Sequence, residues 1–134
     1  MIEMKPVKVI TPQIQALCPD IGGNAVFYLA ATDKDKLLGV GAVRLETDWA
    51  SLLAIRFLPE YDAPDLQFGM GKALLNFIDR REIRFVACSD KTLAPLLERL
   101  RFRVFDGTDA PCLPPDTAYY LDLTGYFDAH CKTL

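Results

Sequence analysis

The sequence predicts a mixed α/β fold whose sheet contains one strand–helix–strand crossover. Three observations carry this. An apolar run at 51–58 (SLLAIRFL) precedes a stripe at Met70, Ala73, Leu74, Phe77 and Ile78, spaced as one face of a helix. A second apolar run, 83–88 (IRFVAC), follows that stripe. Upstream, two runs rich in branched and aromatic residues flank a polar turn, the pattern of a hairpin. At 134 residues and 51% apolar, the chain is long enough for one core and is read as a single domain, 1–134.

The elements follow in order. Residues 4–10 alternate Val7 and Val9 with lysine and read as a strand. Thr11-Pro12 is a helix start, with Thr at the N-cap and Pro at the first position. The short helix carrying Ile14, Ala16, Leu17 and Cys18 stops at Pro19 and Gly22-Gly23. Residues 25–32 and 37–47 form the hairpin around Asp33-Lys34-Asp35-Lys36. Gly39 and Gly41 inside its second strand point to a bulge or a close backbone approach. The strand at 51–58 ends at Pro59, and the strong helix opens at Gly69. Thr92 caps a second helix with Pro95 in its first turn and a Leu93, Leu96, Leu97, Leu100 stripe. Strands at 102–105 and 118–123 flank a Pro/Gly/Asp-rich loop, and a short helix is expected from Tyr126 to Leu134. The apolar Tyr126 and Phe127 there could join a homodimer interface.

Composition excludes several classes. No apolar run approaches the ~20 residues of a membrane span, and the N-terminus lacks the pattern of a secretory signal, so a cytoplasmic protein is expected. The four cysteines are far apart, with no Cys-x-x-Cys and one histidine, so free thiols and no metal site are expected. Net charge is −3 overall but uneven. It is −3 over 1–67 (6 basic, 9 acidic), +4 over 68–105 (8 basic, 4 acidic) and −4 over 106–134 (1 basic, 5 acidic). The basic middle suits a local anion site or, more plainly, solvated helix faces. An isoelectric point near 5.1 and the lack of a basic run argue against nucleic acid as a partner.

Gly69-Met70-Gly71-Lys72 carries the chemistry. Glycines at a helix N-terminus admit an anion to free backbone N–H groups, and a lysine adds charge. Ordinary turn chemistry is the plain alternative. A P-loop is rejected because Gly71-Lys72 is followed by Ala73 and position 66 is Leu. A dinucleotide fingerprint is rejected because Leu74 stands where its third Gly belongs. The combination of AIRFLPEY (54–61), FGMGKALLNFI (68–78) and LAPLLERLRFRVF (93–105), in that order, resembles the GNAT superfamily of N-acetyltransferases.

The resemblance implies a splayed, mixed sheet of six to seven strands flanked by helices. It implies acetyl-CoA as co-substrate, or another acyl-CoA, and an amine acceptor, small or on a protein. Backbone groups at Phe57 and Leu58 would hold the pantetheine arm. The segment Gln67, Phe68, Gly69, Met70, Gly71 and Lys72 would cradle the pyrophosphate, with the basic segment facing the nucleotide. Glu60 is the first candidate general base, Glu46 the second, and Tyr120 a candidate acid, each with a solvated or packing role as the plain alternative. Cys88 is expected to be a buried, inert thiol, and Arg56 either touches a ligand or lies on an exposed sheet face. The chain departs from the family at Leu66, where Arg or Gln is usual, at Leu97, where many members carry Tyr, and at Arg101, in place of Gly. The departures at Leu66 and Leu97 favour the alternative of a non-catalytic acyl-CoA-binding module that regulates a protein partner. A plain α/β interaction domain is a third reading.

Overall fold

The structure is a computed structural model that describes residues 1–108 and 110–127. Seven strands form one sheet: β1 (Ile2–Pro6), β2 (Val26–Asp33), β3 (Lys36–Leu45), β4 (Trp49–Phe57), β5 (Phe85–Cys88), β6 (Arg103–Val104) and β7 (Tyr119–Asp122). Their spatial order is β1-β2-β3-β4-β5-β7-β6. Among the described residues, only β4 and β5 are parallel. The helix α2 (Pro64–Asp79) is the crossover between them, as the order of apolar runs predicts.

The first strand spans Ile2–Pro6, ending earlier than expected, and the Val7 N–H adds one further bond to the Tyr28 carbonyl of β2 before the chain turns toward Thr11. The cap at Thr11 is as predicted: its side chain accepts from the Ile14 amide and Pro12 opens α1 (Pro12–Leu17). In the 89–94 segment the cap is Asp90 instead of Thr92. Its carboxylate accepts from the Thr92 amide and hydroxyl, and α3 (Ala94–Arg99) follows a 3₁₀ turn.

Both faces of the sheet are covered. On one, Leu52, Ile55 and Phe57 of β4 pack with Met70, Leu74, Leu75 and Ile78 of α2 and Leu96 and Leu97 of α3. On the other, α1 lays Ile14 and Cys18 on Tyr28, Val40 and Ala54. Farther along that face, Ala110 and Leu113 cover Ala87 and Tyr120. Close approach explains the glycine in the middle of β3. A Cβ on Gly41 would come within 2.7 Å of Leu74 Cδ1 and 2.9 Å of Met70 Sδ.

The helix start is the main difference from the sequence reading. α2 begins at Pro64, so Gly69 and Gly71 are its sixth and eighth residues and do not open it. A Cβ on Gly71 would lie 2.6 Å from Leu100 Cδ1, so this glycine sets the distance between α2 and the segment after α3. Tyr126 and Phe127 pack on their own chain. The Tyr126 hydroxyl donates to the Leu100 carbonyl, and the two rings meet edge to face. The rest of the expected C-terminal helix lies outside the described residues. No helix among the described residues is long and apolar enough to cross a membrane.

Candidate functional site

The site grows from a register change in β4. Ala42 pairs with Ala54 and Val43 with Leu52, so Leu53 is an extra residue, a β-bulge. Leu53 and Ala54 consequently face the same side, toward α1. A bulge bends its strand and steepens the local twist. The effect shows in the next pairing. Among the described residues, β5 meets β4 only at Trp49, Ala50 and Ser51, and β4 then runs on to Phe57 paired with β3 but with no strand on its other edge. The sheet forks just past Ser51.

The fork frees backbone groups. The Leu58 N–H donates to the Leu38 carbonyl on β3. Alternation in an antiparallel ladder therefore turns Arg56 toward β3 and turns the N–H and C=O of Ile55 and Phe57 into the gap. The Leu58 N–H is spent within the sheet and is unavailable to the arm expected there.

A cavity of about 410 Å³ opens at the fork on the face toward α1. It is lined by Ser51 and Leu53 of β4, Ala87, Ser89 and Asp90 from the end of β5, and Thr117 and Asp116 from the 106–117 loop. None of the three residues expected to handle protons is in this lining. Glu46 is exposed in the β3–β4 turn at one end of β4. Glu60 is exposed in a 3₁₀ turn past the other end, four strand residues or roughly 13 Å beyond the bulge and more. Tyr120 is buried in β7, opposite Ala87, with its ring 5.7 Å from Phe105. Asp90 is the carboxylate at the fork, held by Thr92, and no sequence motif announced it.

Cys88 faces the α2 side, 1% exposed, and burial pushes its thiol up to about 11. It is a protonated thiol at neutral pH, as expected of a packing residue. Arg56 is bound within the chain. Its Nη2 donates to Asp20 Oδ2 at 2.9 Å and its Nη1 to the Leu17 carbonyl at 3.1 Å, which ties the end of α1 to β4. The guanidinium hydrogen bond holds the Asp20 carboxyl down to about 2. A depressed carboxyl stabilises the fold above its ordinary value near 3.9 and loses that contribution as pH falls through its folded value. Acid titrations of the wild type and Asp20→Asn, followed by circular dichroism, are expected to differ above pH 4 and to converge between pH 4 and 2. Salt should shrink the difference, because Asp20 is exposed.

The pyrophosphate expectation meets a different geometry. The Gln67 N–H already donates to the Ala63 carbonyl, and the amides from Phe68 to Lys72 lie inside the helix. The first turn leaves only Asp65 and Leu66 with N–H groups lacking an intrahelical partner, since Pro64 has none. Glu60 and Asp62 precede that end in sequence, and Asp65 sets a negative charge in the first turn, where it pairs with Arg99. The side chains are also engaged: Gln67 Nε2 donates to Asp62, and Lys72 Nζ lies 4.5 Å from the Tyr126 ring centroid. Residues 67–72 therefore do not fit a pyrophosphate cradle, whereas the open edge of β4 fits an amide-bearing arm.

Nor does the basic segment gather around a nucleotide. Arg80 and Arg81 stand at the far end of α2, and Arg84 pairs with Asp122. Arg99 reaches the start of α2, where it pairs with Asp65 at 3.2 Å. No group of three or more metal-ligating side chains assembles among the described residues.

No protein-family model matches the sequence, and the search of curated proteins finds no significant relative. Solved structures do match. A GNAT family acetyltransferase from Elizabethkingia anophelis with acetyl-CoA bound superposes with a TM-score of 0.70 at 11% identity, covering 91% of this chain and 98% of its own. A Bacillus subtilis acetyltransferase in complex with CoA gives 0.72 at 11% identity, covering 92% and 99%. The ribosomal-protein-S18-alanine N-acetyltransferase of Escherichia coli gives 0.63 at 14% identity, covering 90% and 89%. The forked seven-stranded sheet of this chain, with its helices, is the fold of the GNAT family of acetyltransferases.

Proposed function

We propose that this chain is an N-acyltransferase that takes an acyl group from acetyl-CoA, or another acyl-CoA, and passes it to an amine. The observation that carries the reading is the unpartnered edge of β4 beside the fork, where Ile55 and Phe57 offer backbone groups as a strand would. The same fold in proteins solved with acetyl-CoA or CoA supports it. The thioester carbonyl would sit at the fork, with the acceptor entering through the cavity above Ser51 and Ala87. The amine nitrogen attacks the carbonyl carbon, an N–C bond forms and the C–S bond breaks. The Asp90 carboxylate takes the amine proton through water, and the CoA thiolate leaves to be protonated.

The donor's recognition should rest on its pantetheine arm, because the start of α2 offers the pyrophosphate two amides and several carboxylates. A helix N-terminus contributes roughly 1 kcal/mol to an anion, about fivefold. Acetyl-pantetheine is therefore expected to give a kcat/KM within about tenfold of acetyl-CoA. A larger preference would place nucleotide recognition elsewhere on the chain.

Calorimetry with acetyl-CoA tests binding, and a thiol-release assay over an amine panel tests transfer. Heat and thiol release together support the enzyme. No heat up to millimolar ligand removes it. Binding without thiol release would establish the second reading, a non-catalytic acyl-CoA-binding module that regulates a protein partner. One observation favours that second reading: Leu97, where many family members carry a tyrosine, is wholly buried in the core.

A further inference from the structure

β1 closes one edge of the sheet, and no strand among the described residues pairs with its outer side. The opposite edge, β6, is only two residues long. β1 spans five residues, all exposed except the half-buried Met4. An open edge of this kind offers unpaired N–H and C=O groups to another strand. The register fixes which groups these are. Continued by one residue, it sets Val7 opposite Tyr28, whose carbonyl accepts the Val7 N–H at 2.9 Å. Alternation in an antiparallel ladder then turns the N–H and C=O of Glu3 and Lys5 toward β2. Those of Ile2 and Met4 point outward, together with the Pro6 carbonyl. The missing N–H of Pro6 thus falls on the open side, where it breaks no bond to β2.

The side chains of β1 divide between the two faces of the sheet. Met4 packs with the cluster under α2, so Ile2, Met4 and Pro6 share that face. Val7 packs with the cluster under α1, so Glu3 and Lys5 share the other. Lys5 Nζ lies 2.7 Å from Glu3 Oε2, and both side chains are exposed. One face of the open strand is therefore apolar, and the other carries one charge of each sign.

We propose that the outer edge of β1 is an interface for a second copy of this chain, the two β1 strands pairing antiparallel about a two-fold axis at Met4. In that register the Ile2 N–H donates to the carbonyl of the partner's Pro6, and the Met4 N–H to that of the partner's Met4. Symmetry repeats both bonds. Glu3 stands opposite the partner's Lys5, and Lys5 opposite the partner's Glu3. These are the positions between hydrogen-bonded pairs, where facing side chains come closest. Sliding one copy by two residues keeps the outward groups in phase. It sets Glu3 against the partner's Glu3, or Lys5 against the partner's Lys5, so charge selects a single register. Tyr126 and Phe127, which pack on their own chain, take no part. β4 is fourth in the spatial order, so the fork of each copy stays open, and the interface stands independently of acyl transfer.

The test reads the oligomeric state by sedimentation at chain concentrations up to about 100 μM. The wild type is expected to be a dimer within that range. Glu3→Lys alone, or Lys5→Glu alone, sets like charges opposite one another on both sides of the axis. Each should weaken the dimer about tenfold or more. Mixed in equal amounts, the two variants should pair with each other, because every basic position then faces an acidic one. Glu3→Lys combined with Lys5→Glu in one chain should restore the wild-type dimer. Both positions are exposed, and an unchanged melting curve shows that the fold persists. Amide exchange at Ile2 and Met4 should slow as the wild-type concentration rises, whereas Glu3 and Lys5, already bonded to β2, should not change. A wild type that stays monomeric across the range overturns the proposal. So does a dimer that neither single variant weakens, or a mixture of the two that fails to pair.

Discussion

Replacing Gly71 with valine is expected to cost about 3 kcal/mol, at the upper end of the usual cost of overpacking a core. The reason is contact. A Cβ at this position falls 2.6 Å from Leu100 Cδ1 and 3.2 Å from its Cδ2, and Leu100 is fully buried. The isobutyl group has no solvent side to swing into, so α2 must move or Leu100 must leave its rotamer. For a chain of this size the melting midpoint should fall by roughly 10 °C. Gly69 is the contrast. Its added Cβ would meet Met4 Cε at 3.4 Å, an ordinary contact, in a helix interior where alanine is worth about 1 kcal/mol over glycine. Gly69→Ala is therefore expected to stabilise the protein slightly and to leave acetyl-CoA binding unchanged. In a phosphate cradle both substitutions would abolish binding, so measuring melting and binding of the two variants separates packing glycines from ligand glycines.

Asp90→Asn is expected to lower kcat about 100-fold, the low end of what a positioned base contributes. Asparagine caps a helix as well as aspartate, so the turn at 91–93 and the start of α3 should stay folded. What is lost is the carboxylate proposed to take the amine proton. KM for acetyl-CoA should stay within about threefold, because the proposed seat of the arm is the backbone of β4. Raising the pH, which deprotonates more of the free amine, should narrow the gap between variant and wild type. Glu60→Gln is the matched control and should leave turnover nearly unchanged, since Glu60 lies past the far end of β4.

The strand–helix–strand core was legible because the 3.6-residue stripe at 70–78 and the flanking apolar runs are strong, local signals. The order of elements and the cap at Thr11 followed from similarly local chemistry. The start of α2 was misplaced although its signals were present. Pro64 fits a first helical position, Asp65 suits the first turn, and Leu66 stands four residues before Met70, extending the stripe. The Gly-x-Gly pair outweighed them, since glycine marks both a ligand loop and a tight helix contact. Telling the two apart needed Leu100, 29 residues away.

The site itself was less legible. The bulge at Leu53 leaves no trace in an all-apolar run, because alternation cannot be seen to break where both faces are buried. Asp90, Asp116 and Thr117 come from two segments that meet only after folding. Arg56 reads in sequence as a ligand contact or an exposed sheet-face residue, and neither reading supplies its actual partner, Asp20, 36 residues away. Glu46 and Glu60 are adjacent to β4 in sequence but at its opposite ends in space, a consequence of strand length that no motif conveys.

Amide hydrogen exchange of Ile55 and Phe57, with and without acetyl-CoA, tests most directly that the open edge of β4 receives the donor. These two amides have no strand partner, so fast exchange is expected in the free protein and marked slowing with acetyl-CoA present. The amides of Gln67 to Lys72 should be protected in both states, because the helix already bonds them. Protection that appears at 67–72 on adding acetyl-CoA, with Ile55 and Phe57 unchanged, would contradict the account.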